Sequence, residues 1–578
     1  MGRLRAAVAA LAARGALGEG ARATPVLRGC GVPVEQVKLV LPAGDVVAAG
    51  TMQVAFVGGS DAVRVRYWSE DSGDVLSAAP RRIMPYEQFF HPEAGQRLFN
   101  LAALTGLKPG RYQYEIVDDP HAGVPVGAAG ASGAPGEGGS PERALVEWCN
   151  AFAAVVPGSF TFGPKGSRLR VAVMGDMGAS SDGPHLGCFA SRKCAGAAAV
   201  KELLRASSGV LDAVFNIGDI SYAAGADAVW EDYARENEHV SSQVPWMTAV
   251  GNHEWGPDSN CECGTPYAFR YPMPTNDGAG VDFDAHRKPI CHTSVHQKGK
   301  KMCSYANDDR ALAWHDMAYS VDMGNARIVV VSTQHGITKG TGQFEWLRRK
   351  LTTDPKRWQV IMGHIDACSP CDPLQTAEND MADCYCWPNG GPVGEYGASS
   401  MSVVQQLVTQ HGLPVDLVLA GHSHDAVADF VRNCTGMPDC DAGKQAPLVI
   451  VGGAGYGHDE GEPGDARKER GNQCSRAPYG YVELGFGDDA IEVNFRGVAG
   501  TGSDDYDTAS CLTLHVKEKH AEDRKPAGWW PRFTQSTGGR RLDDDSCHLN
   551  MHAVFDTDRC TPASFSVHKG EKPPVRLI

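Results

Sequence analysis

Five apolar runs in this chain end in the same way. LRVAVMG (169–175) leads into Asp176. LDAVFNIG (211–218) leads into Asp219 and, three residues on, Tyr222. VPWMTAVG (244–251) leads into Asn252 and His253, WQVIMG (358–363) into His364, and VDLVLAG (415–421) into His422 and His424. Carboxylates, imidazoles, an amide oxygen and a phenol make a mixed oxygen and nitrogen donor set. Cysteine is absent from all five places, which excludes a thiolate zinc or iron–sulfur site there. Such a set suits two adjacent metal ions sharing one carboxylate, and paired ions suit displacement at phosphorus. A single Gly-Asp or Gly-His pair is an ordinary turn. Five in succession are not.

The elements that carry these residues read as an α/β domain. LRVAVMG, the helical pattern GAAAVKELLRA (196–206) and LDAVFNIG form a β-α-β unit, which implies a mainly parallel, covered sheet. Phe344, Leu347 and Leu351 recur at helical spacing before WQVIMG, and Val404, Leu407 and Val408 do so before VDLVLAG. In open α/β sheets ligands bind beyond the carboxyl ends of the strands, so the five tips are expected to converge. Upstream the pattern differs. VEQVKLVL, TMQVAFVG, AVRVRYWS and LTGLKPGRYQYEIVD are short alternating runs bounded by turn residues, which predicts an all-β sandwich. The expected boundaries are an N-terminal segment 1–33, a sandwich domain 34–164, a catalytic domain 165–499 and a Cys-containing tail 500–578. Residues 123–142 are Gly/Ala/Pro-rich and read as a flexible insertion.

Composition narrows the classes. The chain has 578 residues, 54 Lys plus Arg against 69 Asp plus Glu, and a net charge of −15, which excludes a basic nucleic-acid or anionic-membrane footprint. No run of about 18 apolar residues occurs, so no membrane span is predicted. The 18 cysteines are many for a cytosolic enzyme. The start, with Arg3 and Arg5 before AAVAALAA and Ala21-Arg22-Ala23 before Thr24, resembles a signal peptide interrupted by Arg14 and Glu19. The expected location is therefore secreted, or a vacuolar or lysosome-like compartment. Asn433-Cys434-Thr435 is a glycosylation triplet made a poor acceptor by its cysteine.

The blocks GDMG (175–178), GDISY (218–222), GNHE (251–254), GH (363–364) and GHSH (421–424) resemble the five motif blocks of the purple acid phosphatases, within the calcineurin-like metallophosphoesterase superfamily. AYSVDMGNARIVVVSTQH (318–335), QFEWLRRKL (343–351) and APYGYVEL (477–484) are similar to the family's intervening text, and the likeness covers roughly 35–498. It implies a four-layer β-sandwich flanked by helices, preceded by a fibronectin-III-like domain as in the larger plant-type members. It implies that Asp176, Asp219, Tyr222 and His424 bind an Fe(III), that Asp219 bridges, and that Asn252, His364 and His422 complete a second, divalent Fe, Zn or Mn. It further implies an acid phosphatase in which a hydroxide held by this centre attacks a phosphate monoester. Catalytic roles then fall to Asp219 and to His253, which would face the phosphate or instead only support its neighbours through a hydrogen bond. Small phosphate esters are the implied substrates, with a homodimer left open. The rival readings are a nucleotide pyrophosphatase or phosphodiesterase of the same superfamily, and an inactive secreted binding protein.

The text departs from the family in three places. Ala426 and Ala428 stand where Tyr and Arg usually follow the last His pair. Ile365-Asp366 stand where a Pro-containing turn follows His364. Pro373-Leu374 stand where some plant members carry another His pair. Cys368-x-x-Cys371 with Cys384-x-Cys386 reads either as a zinc knot or, with the pairs Cys261/Cys263, Cys188/Cys194 and Cys434/Cys440, as disulfides stapling loops. His185, His292 and His296 read as loop or surface residues.

Overall fold

The computed structural model describes residues 32–59, 63–83, 98–117, 155–179 (except 167), 195–255, 264–275, 314–365 (except 338), much of 401–429, 446–455 (except 447), 479–498 and short strands at 294–303 and beyond 510. The insertion at 123–142 and the paired cysteines named above lie outside them.

Two antiparallel sheets build the N-terminal region. Strands β1 (Val32–Val40), β3 (Thr51–Gly59), β6 (Arg81–Ile83) and β7 (Phe99–Thr105) form one in the order β1-β3-β7-β6. Strands β4 (Arg64–Ser69), β5 (Leu76–Ala78), β8 (Gly110–Val117) and β9 (Val155–Phe162) form the other in the order β5-β4-β8-β9. Alternation in β8 puts Tyr112, Tyr114 and Ile116 on the buried face, as the period-2 pattern requires. Tyr112 stacks on Phe160 with ring centroids 5.4 Å apart.

Two larger sheets follow. The first runs β12-β11-β10-β21-β22-β23, from β10 (Leu169–Met174), β11 (Ala213–Asn216), β12 (Trp246–Thr248), β21 (Tyr479–Phe486), β22 (Ala490–Val498) and β23 (Ser510–Lys517). Strands β10, β11 and β12 are parallel. The second runs β19-β20-β18-β17-β16-β15-β2, from β2 (Gly44–Asp45), β15 (Tyr319–Met323), β16 (Ala326–Val330), β17 (Trp358–Met362), β18 (Leu417–Ala420), β19 (Ala426–Asp429) and β20 (Leu448–Val451). Here β16, β17, β18 and β20 are parallel. A separate hairpin joins β13 (Ser294–Gln297) to β14 (Lys300–Cys303).

Alternation along the second sheet separates two cores. Ile328, Val330, Val360, Met362, Leu417 and Leu419 belong to the core shared with the first sheet. Val329, Ile361, Val418 and Ala420 belong to another, with Phe344, Leu347 and Leu351 and with Val404, Leu407 and Val408. Helix α1 (Ala195–Ser207) covers the first sheet through Ala197, Val200 and Leu204. Helix α5 (Gly342–Thr352), N-capped by Thr341, covers the second. The layers are helix, sheet, sheet, helix, as the resemblance implies.

Two pairings cross the boundaries expected from sequence. Strand β2 comes from the N-terminal region yet edges the second sheet beside β15. Strand β23, from the segment expected as a tail, pairs with β22. Helix α2 (Asp227–Ser241) also joins the regions. Ser241 Oγ donates to Val37 O at 2.7 Å, Gln36 N donates to Glu238 Oε2 at 2.9 Å, and Tyr114 Oη donates to Ser242 O at 2.7 Å.

Tyr114 fits only because Gly158 faces it across β8 and β9. A Cβ at Gly158 would lie 2.1 Å from Tyr114 Cζ. Gly158→Ala is expected to destabilise the fold by about 1–3 kcal/mol through this overpacking, read as a lowered midpoint in denaturant unfolding.

Candidate metal centre

The carboxyl ends of β10, β11 and β12 in one sheet meet those of β17 and β18 in the other. Backbone bonds close the seam. Gly175 N donates to Val451 O at 2.9 Å, and Ala454 N donates to Gly175 O at 3.3 Å. The loops after β10 and β11 are also zipped together, with Asp176 N donating to Gly218 O at 3.1 Å and Gly178 N to Ile220 O at 3.0 Å.

All seven expected ligand side chains converge there in two groups. In the first, Tyr222 Oη donates to Asp176 Oδ1 at 2.9 Å and lies 2.8 Å from His424 Nε2, which is itself 3.4 Å from Asp176 Oδ1. In the second, Asn252 Oδ1 is 3.1 Å from both His364 Nε2 and His422 Nδ1, and His364 Nε2 is 3.2 Å from Asp219 Oδ1. Donor atoms of Asp219, His364 and His422 all lie within 4.8 Å of one another, a spacing able to hold a metal ion. His364 Nδ1 is 3.1 Å from Ile217 O. A proton on Nδ1 donated to that carbonyl leaves the Nε2 lone pair in the site, the usual arrangement for a metal-binding imidazole.

Asp176, Asp219, Tyr222 and His422 have φ of +61°, +50°, +54° and +72°. The left-handed region costs a residue with a Cβ about 1–2 kcal/mol. Four such residues at one place mark backbone held for the site rather than for the fold. The glycines do the opposite work of allowing close approach. A Cβ at Gly251 would lie 2.2 Å from Asp219 Oδ1, and one at Gly218 would lie 2.6 Å from His364 Nδ1.

The electrostatics ask for positive charge. Burial pushes the Asp219 carboxyl up, but the imidazoles of His364 and His253 outweigh it and hold it well below the usual carboxylate range. Burial pushes His364 down, and the carboxylates of Asp219 and Asp176 outweigh it and lift the imidazole to about 10. The chain by itself thus answers its buried carboxylates by keeping a proton on His364. A metal cation would answer the same demand and leave the imidazole as a ligand. The donor set therefore fits metal ions in both groups.

His253 is separate from the ligand-type atoms. Its backbone N donates to Asp219 Oδ1 at 2.9 Å, its Nε2 is 3.9 Å from Asp219 Oδ2, and its ring packs 4.3 Å from that of Tyr222. With its side chain 26% exposed, it is open to the solvent side of the site.

Two supporting residues escape a sequence reading. Helix α3 (Asn252–Trp255) carries Glu254, whose buried carboxylate accepts from Asp219 N at 2.8 Å, Ile220 N at 2.9 Å and Gly251 N at 2.9 Å. Burial, then repulsion from Asp219, raises this carboxyl to about 8. Lys201 on α1 does the converse, donating from Nζ to Gly178 O at 2.9 Å and pairing with Glu236. Glu254 stands beside the Asn-His pair in sequence, but its three N–H partners come from two strand tips.

Residues 169–426 match the family model described as calcineurin-like phosphoesterase. A relative named probable inactive purple acid phosphatase 1, from Arabidopsis thaliana, is 26% identical over 323 residues, covering 52% of this chain and 43% of that protein. This chain carries a calcineurin-like metallophosphoesterase domain related to the purple acid phosphatases. Acid phosphatase type 7 of Danio rerio is 24% identical over 338 residues, covering 54% of this chain and 64% of that one. The matched stretches span less than two thirds of these relatives' own length. The solved structure of a purple acid phosphatase from yellow lupin (Lupinus luteus) seeds superposes with a TM-score of 0.53 at 17% identity, covering 82% of this chain and 74% of that chain. That likeness concerns the fold, which is the mixed α/β metallophosphoesterase fold with an all-β sandwich region before it. The phosphoesterase model matched over residues 169–426 implies metal ions in that domain. Among the described residues no helix is long and apolar enough to cross a membrane.

Glu254→Gln would set an amide NH₂ against at least one of the three N–H groups. It is expected to weaken metal binding by roughly 10–100-fold, the usual cost of losing a supporting partner, measured by chelator competition. Gly251→Ala is expected to act in the same direction by displacing Asp219.

Proposed function

We propose that the chain hydrolyses phosphate monoesters at a dinuclear centre of Fe(III) and a divalent Fe, Zn or Mn. Asp176, Tyr222 and His424 would hold the first ion, Asn252, His364 and His422 the second, and Asp219 would be shared. The observation that carries the reading is the seating of the Tyr222 hydroxyl between Asp176 Oδ1 and His424 Nε2, at 2.9 and 2.8 Å. A phenol so placed is a hard oxygen donor suited to a trivalent ion. When bound, the two cations supply Lewis-acid stabilisation of the phosphoryl group and activation of water.

The chain's own groups do the positioning. Glu254 accepts from the tips of β11 and β12, and Lys201 donates to the loop after β10. His253, set against the Tyr222 ring at the partly open side, would donate a hydrogen bond to a phosphate oxygen or to the departing oxygen.

A second reading is a site that binds metal and phosphate with little turnover. The Arabidopsis relative, named probable inactive purple acid phosphatase 1, favours it. So do Ala426 and Ala428, which sit in β19 opposite Val451 and Val449 and bring no polar group to the region after the last His pair.

Metal analysis, a visible spectrum and an aryl phosphate assay from acidic to neutral pH separate the readings. Iron with a visible band and hydrolysis is the expected result. Metal without hydrolysis would select the second reading, and hydrolysis without iron or colour would remove the purple subclass. Tyr222→Phe is expected to shift or bleach the band. Asp219→Asn is expected to lower kcat by about a hundredfold or more, on the scale of losing one site group that stabilises charge.

A further inference from the structure

A cleft of about 510 Å³ opens where the sandwich meets the catalytic domain. Small-molecule sites measure roughly 300–1,000 Å³ and favour domain interfaces. Arg111, Ser159 and Thr161 line it from the sandwich, and Lys165, Ser208 and Gln243 from the other side. Lys165 precedes the amino end of β10, and Ser208 follows the carboxyl end of α1. The cleft therefore lies at the sheet edge opposite the metal-ligand residues.

The strand register explains the sandwich wall. Arg111 pairs with Thr161 and Gln113 with Ser159 across β8 and β9, so Arg111, Thr161 and Ser159 share the face away from buried Tyr112 and Phe160. The facing cation is held in place. Lys165 N donates to Asp212 Oδ1 at 2.7 Å, and Lys165 Nζ donates to Ser208 O at 2.8 Å. That bond uses one of the three N–H groups of the ammonium.

The charge of this cleft is one-sided. Among the described residues that line it, Arg111 and Lys165 are charged and no carboxylate appears, in a chain of net charge −15. Two carboxylates flank it. Asp212 already accepts from Lys165 N and Arg170 N, and Glu70 Oε1 is 3.6 Å from Arg111 Nε in an exposed pair of little strength. Burial holds the Lys165 ammonium below the ordinary lysine value. Asp212 opposes that fall, and the like charge of Arg111 deepens it. The helix ends at the cleft do not account for both cations. Gln243 Nε2 donates to His239 O and Tyr114 Oη to Ser242 O at the end of α2, while Ser208 Oγ donates to Arg205 O and Lys165 to Ser208 O at the end of α1. Arg111 takes no part in these.

We propose that this cleft binds a small anion of the phosphate type between Arg111 and Lys165, with the hydroxyl residues Ser159 and Thr161 beside it. A cleft lined by one sign of charge concentrates counter-ions, and a guanidinium fork suits a tetrahedral oxyanion. The inference goes beyond hydrolysis and does not depend on turnover at the metal centre.

The test titrates inorganic phosphate calorimetrically into the metal-loaded full chain and into the same chain dialysed free of metal. The loaded chain is expected to show two classes of site, one of which survives metal removal. Arg111→Gln and Lys165→Gln should each weaken the surviving class by about tenfold or more, the scale of losing one charge-assisted hydrogen bond, and leave the metal-dependent class unchanged. Arg66→Gln removes a charge from the same strand pair, where Arg66 is 3.5 Å from Glu115 and does not line the cleft, and should change neither class. Arg111 is 64% exposed, so its variant carries the test if Lys165→Gln, which gives up a bond to the end of α1, fails to fold. If the metal-free chain fails to fold, the count in the loaded chain decides, two classes in wild type and one in Arg111→Gln. A single, metal-dependent class in wild type overturns the inference and leaves the metal-centre reading standing. A second class that ignores Arg111→Gln, or that weakens equally in Arg66→Gln, also overturns it. A single class that survives metal removal and is lost in Arg111→Gln upholds the inference and counts against the metal-centre reading instead.

Discussion

Two carboxylates, Asp176 and Asp219, are buried where the carboxyl ends of two stacked sheets meet, and a buried anion is unstable without nearby positive charge. Much of the surrounding architecture can be understood as a response. The sheets pack so that imidazoles from one reach carboxylates from the other. His364 sits 3.2 Å from Asp219, and the backbone N–H of His422 donates to Asp176 Oδ2 at 2.8 Å. The glycines before the polar residues permit that approach, and the left-handed backbone at four polar positions is its conformational cost.

Around this centre the support pairs an acceptor with a donor. A carboxylate, Glu254, gathers backbone N–H groups from the tips of β11 and β12. An ammonium group, Lys201, takes a carbonyl from the loop after β10. Each group meets backbone polarity that the loops leave unsatisfied. The N-terminal sandwich reaches the same scaffold. Phe99 packs on Phe269 of helix α4 (Thr265–Arg270) with centroids 6.0 Å apart, and Gly264 N, at the start of that helix, donates to Glu254 O at 2.8 Å. A continuous run of packed contacts thus links β7 to the turn that carries Asn252 and His253.

Much of the site was legible because its signal is local. A buried strand, a glycine and a ligand-type residue stand side by side in the chain, and parallel topology does the rest. The layered fold was legible for the same reason, since Phe344, Leu347 and Leu351 repeat at helical spacing and Tyr112 and Tyr114 at strand spacing. What escaped depends on distant partners. Lys201 reads as one more polar residue on an amphipathic helix, and only Gly178, 23 positions away, gives it a role. Strand β2 is two residues long and meaningless without β15, some 275 positions on.

The zipper between the loops after β10 and β11 has a mechanical consequence. Asp176 and Asp219 lie on neighbouring loop segments whose offset is set by peptide-to-peptide bonds, Asp176 N to Gly218 O and Gly178 N to Ile220 O. The two donor groups are therefore mounted on one stiff ruler. Replacing one ion by another of different size or charge would alter bond strengths and acidity at each end, while the gauge between the ends stayed that of a parallel strand pair.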